Sequence, residues 1–152
     1  MAGSTLQAPT DTGRPVIRTF RAHPSALHEI RRFVRTQVEL DGFPSSAAED
    51  LVLAVSEACA NAILHTNSAA IDVQCVFSRA GAEVRVRDTG IFRRRVVVPV
   101  LDEGHGRGIP LMFALMDEVS IHEGTTLHPG TLVRLVKYRE LGNRPAPTAR
   151  AR

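Results

Sequence analysis

Glu57-Ala58-Cys59-Ala60-Asn61-Ala62-Ile63-Leu64-His65 is the stretch on which the fold turns. It ends an apolar segment in which Leu51, Val52, Val55, Ala58, Cys59, Ala62 and Ile63 recur at helical spacing around most of the circumference, which predicts a largely buried helix. Ser46 with Glu49 three residues later reads as a capping box, so the helix is expected from about Ala47 to His65. Glu57 and Asn61 break the apolar pattern. Four residues apart, they project from one face a single turn from each other, and an ionised carboxylate inside such a helix needs a compensating partner.

Upstream, Val16 to Arg21 reads as a short strand, and Pro24 opens a helix through Leu27, Ile30, Phe33, Val34 and Val38 that leaves Arg31, Arg32 and Arg35 on its other face. Asp41-Gly42-Phe43-Pro44 is a turn. Downstream, Ile71 to Ser78 and Glu83 to Asp88 form a hairpin through Arg79-Ala80-Gly81. An irregular segment, Gly90 to Gly108, reads as a loop or lid, after which a short helix runs to about Met116 and Val119 to His122 and Leu132 to Tyr138 close the domain as strands. Helices and strands segregate instead of alternating. The expected architecture is therefore α+β, a two-layer sandwich with a mixed, mostly antiparallel sheet covered by helices on one face.

The 152 residues suit one domain, expected over residues 15–140, with residues 1–14 and 141–152 as disordered tails, the second of them basic. Arg144, Arg150 and Arg152 account for the whole net charge of +3, so the body is neutral. A neutral body argues against nucleic-acid binding as the main function, because that affinity comes from a basic face. The runs Arg31, Arg32, Arg35 and Arg93 to Arg95 read as solvated surface. No apolar run approaches the roughly 20 residues needed to cross a bilayer, and the N-terminus lacks a signal-peptide plan, so a cytoplasmic protein without membrane attachment is expected. Cys59 and Cys75 have no metal-type spacing and are expected to be reduced packing residues.

Three short stretches carry candidate chemistry. Asn61 offers a neutral carbonyl oxygen of the kind a hydrated magnesium ion accepts while bridging phosphates, and Glu57 can polarise a hydroxyl or water within hydrogen-bonding reach. Such a pair is also common on ordinary helices. Asp88 stands at a strand end with Gly90 two residues on; a carboxylate can read the exocyclic amino group of adenine while a glycine lets the flat base approach the backbone. By itself Asp-x-Gly is more often a turn. Gly104-His105-Gly106-Arg107-Gly108 has the flexibility and exposed amides to wrap phosphates where a helix begins.

In this order and spacing, the three pieces resemble the GHKL, or Bergerat-fold, ATPases with their histidine-kinase-like fold, and among them the small bacterial anti-sigma factor serine/threonine kinases of the RsbW type. The matching stretches are Glu57 to His65, Val86-Arg87-Asp88-Thr89-Gly90, and Gly104 to Met112, continuing through Ala114 to Val119 and Gly130-Thr131. The resemblance implies ATP and Mg2+ as cofactors, Asn61 as the metal ligand, Glu57 as catalytic base, and Asp88 holding adenine with Gly90 and Thr131. It also implies a lid of Gly104, His105, Gly106, Arg107, Gly108 and Ile109. The implied function is phosphorylation of an anti-anti-sigma factor (a STAS domain) and sequestration of a sigma factor in stress-response transcription, by a homodimer. Departures from the family pattern bear on lid closure and catalysis: Asp88-Thr89-Gly90-Ile91-Phe92 lacks the second glycine of Asp-x-Gly-x-Gly, and the lid is short, with Arg93 to Arg95 preceding it. They leave a second expectation standing, a nucleotide-binding anti-sigma module without productive transfer. A histidine-kinase fragment fits less well, since no helical hairpin with a phosphoacceptor His precedes the domain.

Overall fold

A computed structural model describes residues 13–90, 108–125 and 127–139. The elements run β1 (Val16–Arg21), a 3-10 turn (Pro24–Ala26), α1 (Leu27–Leu40), α2 (Ser45–His65), β2 (Ala70–Phe77), β3 (Gly81–Asp88), α3 (Gly108–Leu115), β4 (Glu118–Glu123) and β5 (Thr131–Tyr138). The strands form one sheet in the order β1-β2-β3-β5-β4, and all four pairings among the described residues are antiparallel. The α+β sandwich expected from the sequence is thus borne out, with antiparallel pairing throughout.

The covered face of the sheet follows from alternation. Ile71, Val73 and Cys75 on β2 and Ala82, Val84 and Val86 on β3 are buried, and between them stand Asp72, Gln74, Arg85 and Arg87 on the opposite face. Helix α2 lies on the covered face and packs against both other helices and the central strands β3 and β5. Its buried residues run from Ala48 through Leu51, Val55 and Cys59 to Ala62, which is why one helix reads as apolar nearly all round. The open face carries a charge lattice instead: Arg134 bonds Glu83 and Glu118 at 2.9 Å each, and Arg85 bonds Glu83 at 2.6 Å.

Local chemistry sets the element ends. His23 caps the 3-10 turn by accepting the Ser25 amide, with Pro24 in its first position. Helix α1 stops in a Schellman arrangement: Gly42 takes φ 72°, its amide reaches Glu39 O, and the Phe43 amide reaches Val38 O. The capping box expected at Ser46 and Glu49 is not formed. Helix α2 begins earlier, at Ser45, because the extended Pro44 presents its carbonyl to the Ala48 amide; Ser46 therefore lies inside the first turn, and Glu49 pairs with Arg35 across α1. At the far end of the fold Lys137 bonds both Asp50 of α2 (3.0 Å) and the Leu115 carbonyl at the end of α3 (2.7 Å), fastening two helices to β5.

Candidate active site: two clefts that meet at Asn61

Asn61 lines two clefts on the covered face. On one side Glu57, Ala60, Leu64, His65 and Gly108 surround an open hollow of about 280 Å³ that reaches Pro24 and Leu27 at the start of α1. On the other, Asp88, Thr131, Ile109 and Met112 enclose a narrower space of about 80 Å³ between the sheet and α3. Two wider concavities, of about 630 and 550 Å³, lie over the open face of the sheet; the second shares only the rim residues Thr131 and Glu123 with the strand-end cleft. We place the site at the smaller pair because catalysis needs convergent polar groups more than volume.

At the helical end, the start of α3 presses on the α2 pair. A β-carbon at Gly108 would stand 3.0 Å from Glu57 Oε2 and 3.3 Å from both amide atoms of Asn61. Two segments more than 40 residues apart in the chain, the α2 pair and the start of α3, therefore converge within one methyl's reach. Both side chains are only partly buried. Their charge and dipole stay hydrated, which resolves the conflict that the apolar helix pattern raised.

At the strand end the surroundings are tighter. Asp88 is 3% exposed; its Oδ1 accepts the Gly90 amide at 3.0 Å, and the Thr131 amide also bonds its carboxylate across the β3–β5 register. Burial pushes the Asp88 carboxyl above the ordinary value, and those two amides oppose the shift. The flanking backbone has no spare room. A β-carbon at Gly90 would lie 2.5 Å from the Ser68 amide nitrogen, and one at Gly130, where φ is +131°, would lie 2.4 Å from the Asp88 carbonyl oxygen. Ser68 completes the frame: its hydroxyl accepts the Thr89 amide (3.2 Å) and donates to the Ala70 carbonyl (2.6 Å). Close by, Cys59 and Cys75 are fully buried, with both thiols pushed up to about 12 by burial and Cys59 raised further by Cys75.

Of the residues singled out from the sequence, Glu57, Asn61 and Gly108 come together, as do Asp88, Gly90, Thr131 and Ile109. Gly104, His105, Gly106 and Arg107, with Phe92 and Arg93 to Arg95, lie outside the described residues. Sequence reasoning missed the walls Thr66 and Ser68, and it named Met112 and Gly130 only within the matching stretches, without a role. Among the described residues no cluster of three or more His, Cys, Asp or Glu side chains holds a cation on its own, and no helix is long and apolar enough to cross a membrane. A magnesium ion carried in with phosphates needs no such cluster: it keeps most of its waters and takes one or two protein oxygens, which the Asn61 carboxamide at a cleft wall fits.

Comparison with known proteins agrees with this geometry. The family model described as "Histidine kinase-like ATPase domain" matches residues 20–137. The chain is 29% identical to the serine-protein kinase RsbW of Bacillus subtilis (strain 168), covering 77% of this chain and 81% of that protein. Among solved structures it is similar to the RsbU and RsbW domains of Rv1364c from Mycobacterium tuberculosis, with a TM-score of 0.63 and 22% identity over 84% of this chain. That likeness concerns the fold, and this chain spans 33% of the solved one. The motif resemblance to RsbW-type proteins is borne out. With a match over nearly the whole described domain, on a fold that brings the helix pair and the strand-end aspartate to adjoining clefts, the chain belongs to the histidine kinase-like ATPase domain family.

Proposed function

We propose that this protein is an anti-sigma factor and an ATP-dependent serine/threonine protein kinase. It phosphorylates an anti-anti-sigma factor of the STAS type and sequesters a sigma factor, switching between the two partners as a cytoplasmic homodimer. The observation that carries this is the convergence of Gly108 on Glu57 and Asn61, beside a separate cleft that ends on a buried carboxylate. Asp88 accepts the adenine amino group, with Gly90 and Thr131 holding its carboxylate in place. Asn61, common to both clefts, offers its carbonyl oxygen to magnesium, and the bound ion supplies charge neutralisation on the phosphates. Glu57 faces the outer cleft one helical turn away, so a serine or threonine hydroxyl entering there meets a carboxylate that takes its proton as it attacks the terminal phosphorus, whose bond to the bridging oxygen breaks to release ADP. The lid assigned to Gly104, His105, Gly106, Arg107, Gly108 and Ile109 supplies backbone amides to the phosphates.

The experiment is phosphate transfer from labelled ATP with magnesium to serine-bearing anti-anti-sigma partners. Glu57→Gln is expected to slow transfer about 10²- to 10⁴-fold while ATP binding persists. Absence of transfer from the unaltered protein to any such partner overturns the kinase assignment. A second function is favoured by one specific feature, Phe92 where the family pattern has a second glycine: a nucleotide-responsive anti-sigma module that switches partners without transfer. Sigma-factor binding whose nucleotide dependence survives Glu57→Gln supports that alternative.

A further inference from the structure

The strand-end cleft contains a second carboxylate that the assigned roles leave unused. The pairing register sets Ile71, Asp88, Thr131 and Glu123 abreast, one from each of β2, β3, β5 and β4. Residues directly opposite on antiparallel strands share a face, and here it is the covered face, since Ile71 and Asp88 are buried beneath the helices. Glu123 therefore ends the row that starts from Asp88, and it stands at the rim, lining this cleft with Asp88, Thr131 and Asn61 and also the neighbouring open-face concavity. Two strand spacings, about 10 Å, separate the backbones of β3 and β4. A purine is too short to bridge both carboxylates. A purine with its amino edge on Asp88 and its long axis laid along this row would bring its sugar abreast of Glu123.

Resting on the nucleotide-binding function above, we propose that Glu123 is a specificity residue that accepts hydrogen bonds from the ribose hydroxyls, so that the site selects ribonucleotides over deoxyribonucleotides. A carboxylate is suited to this because it is acceptor-only and a ribose diol presents two donors. Glu123 is exposed, so its removal leaves the core intact. The test is calorimetric titration of the full chain with ATP, 2′-deoxy-ATP and 3′-deoxy-ATP, each with magnesium, for the unaltered protein, Glu123→Ala and Glu123→Gln. Unaltered protein is expected to prefer ATP about tenfold over either deoxy form, a difference of ~1.4 kcal/mol. Glu123→Ala brings the ratio to near one, and Glu123→Gln, which keeps an acceptor oxygen, restores part of it. Equal affinities in the unaltered protein overturn the proposal. So does a uniform rise in affinity for all three nucleotides in Glu123→Ala, which marks Glu123 as nothing more than a charge repelling phosphates. Failure to bind any of the three overturns the nucleotide-binding function itself, whereas ATP binding without sugar discrimination overturns only the role of Glu123.

Discussion

The two ends of the site are built on opposite principles. The strand end is closed and over-determined: a 3%-exposed carboxylate, two amides bonded to it, and two glycines whose Cα atoms have no space for a side chain. The helical end is open: Glu57 and Asn61 are partly exposed, and the backbone of Gly108 approaches both. Recognition of a flat, invariant group can be rigid, whereas transfer to a second protein needs a cleft that admits a chain segment. The contrast teaches that residues of one site can have different tolerances, and it is measurable.

The sharpest probe is Asp88→Asn. Adenine-nucleotide affinity is expected to fall about 10- to 100-fold, as for loss of a hydrogen bond to a charged group. The sign for stability is opposite. Because burial raises the folded-state value of Asp88 above the ordinary 3.8, its contribution is fully present below that value and is lost as pH rises through the shifted one. At neutral pH the free Asn variant should therefore melt no lower than the unaltered protein, and a clear drop in its melting temperature breaks the picture of a strained recognition end.

Gly130→Ala comes next. Its β-carbon meets backbone, at 2.4 Å from the Asp88 carbonyl oxygen, with φ at +131°, so a loss of about 1–3 kcal/mol in denaturant unfolding is expected, together with weaker nucleotide binding. Ser68→Ala should cost about 1 kcal/mol, because the Thr89 amide and the half-buried Ala70 carbonyl lose their shared partner. Gly108→Ala belongs to the other end and has the smallest expected effect on stability. Alanine is the better helix former by about 1 kcal/mol, and the new methyl meets side-chain tips that can move, so unfolding should change by no more than about 1 kcal/mol while phosphate transfer slows. Equal stability losses for Gly130→Ala and Gly108→Ala would erase the distinction between the two ends.

What was legible in the sequence follows the same division. The strands and helices were readable because each has one buried face and a period: β1 appeared with its observed bounds, and α2 was displaced only at its start, where Pro44 and not a serine sets the first carbonyl. Glu57 and Asn61 were legible as polar residues in an apolar helix, and Asp88 as a strand-end carboxylate two residues before Gly90. The frame around Asp88 was not, because Ser68 and Thr66 look like any polar residues after a helix and acquire meaning only when the β2–β3 hairpin folds Gly90 against them. Glu123 was equally silent, since its neighbours on the row come from pairings that no local pattern announces.

Cys59 occupies the helix turn between Glu57 and Asn61 and never sees solvent, and with its sulfhydryl at about 12, as for Cys75, almost none of it is thiolate at neutral pH. Alkylating reagents and peroxide consequently find no nucleophile until α2 lifts from the sheet. The two sulfurs thus act as a built-in stopwatch: the rate at which a maleimide labels them reports how often the domain opens, and any molecule that clamps the clefts shut should slow the clock.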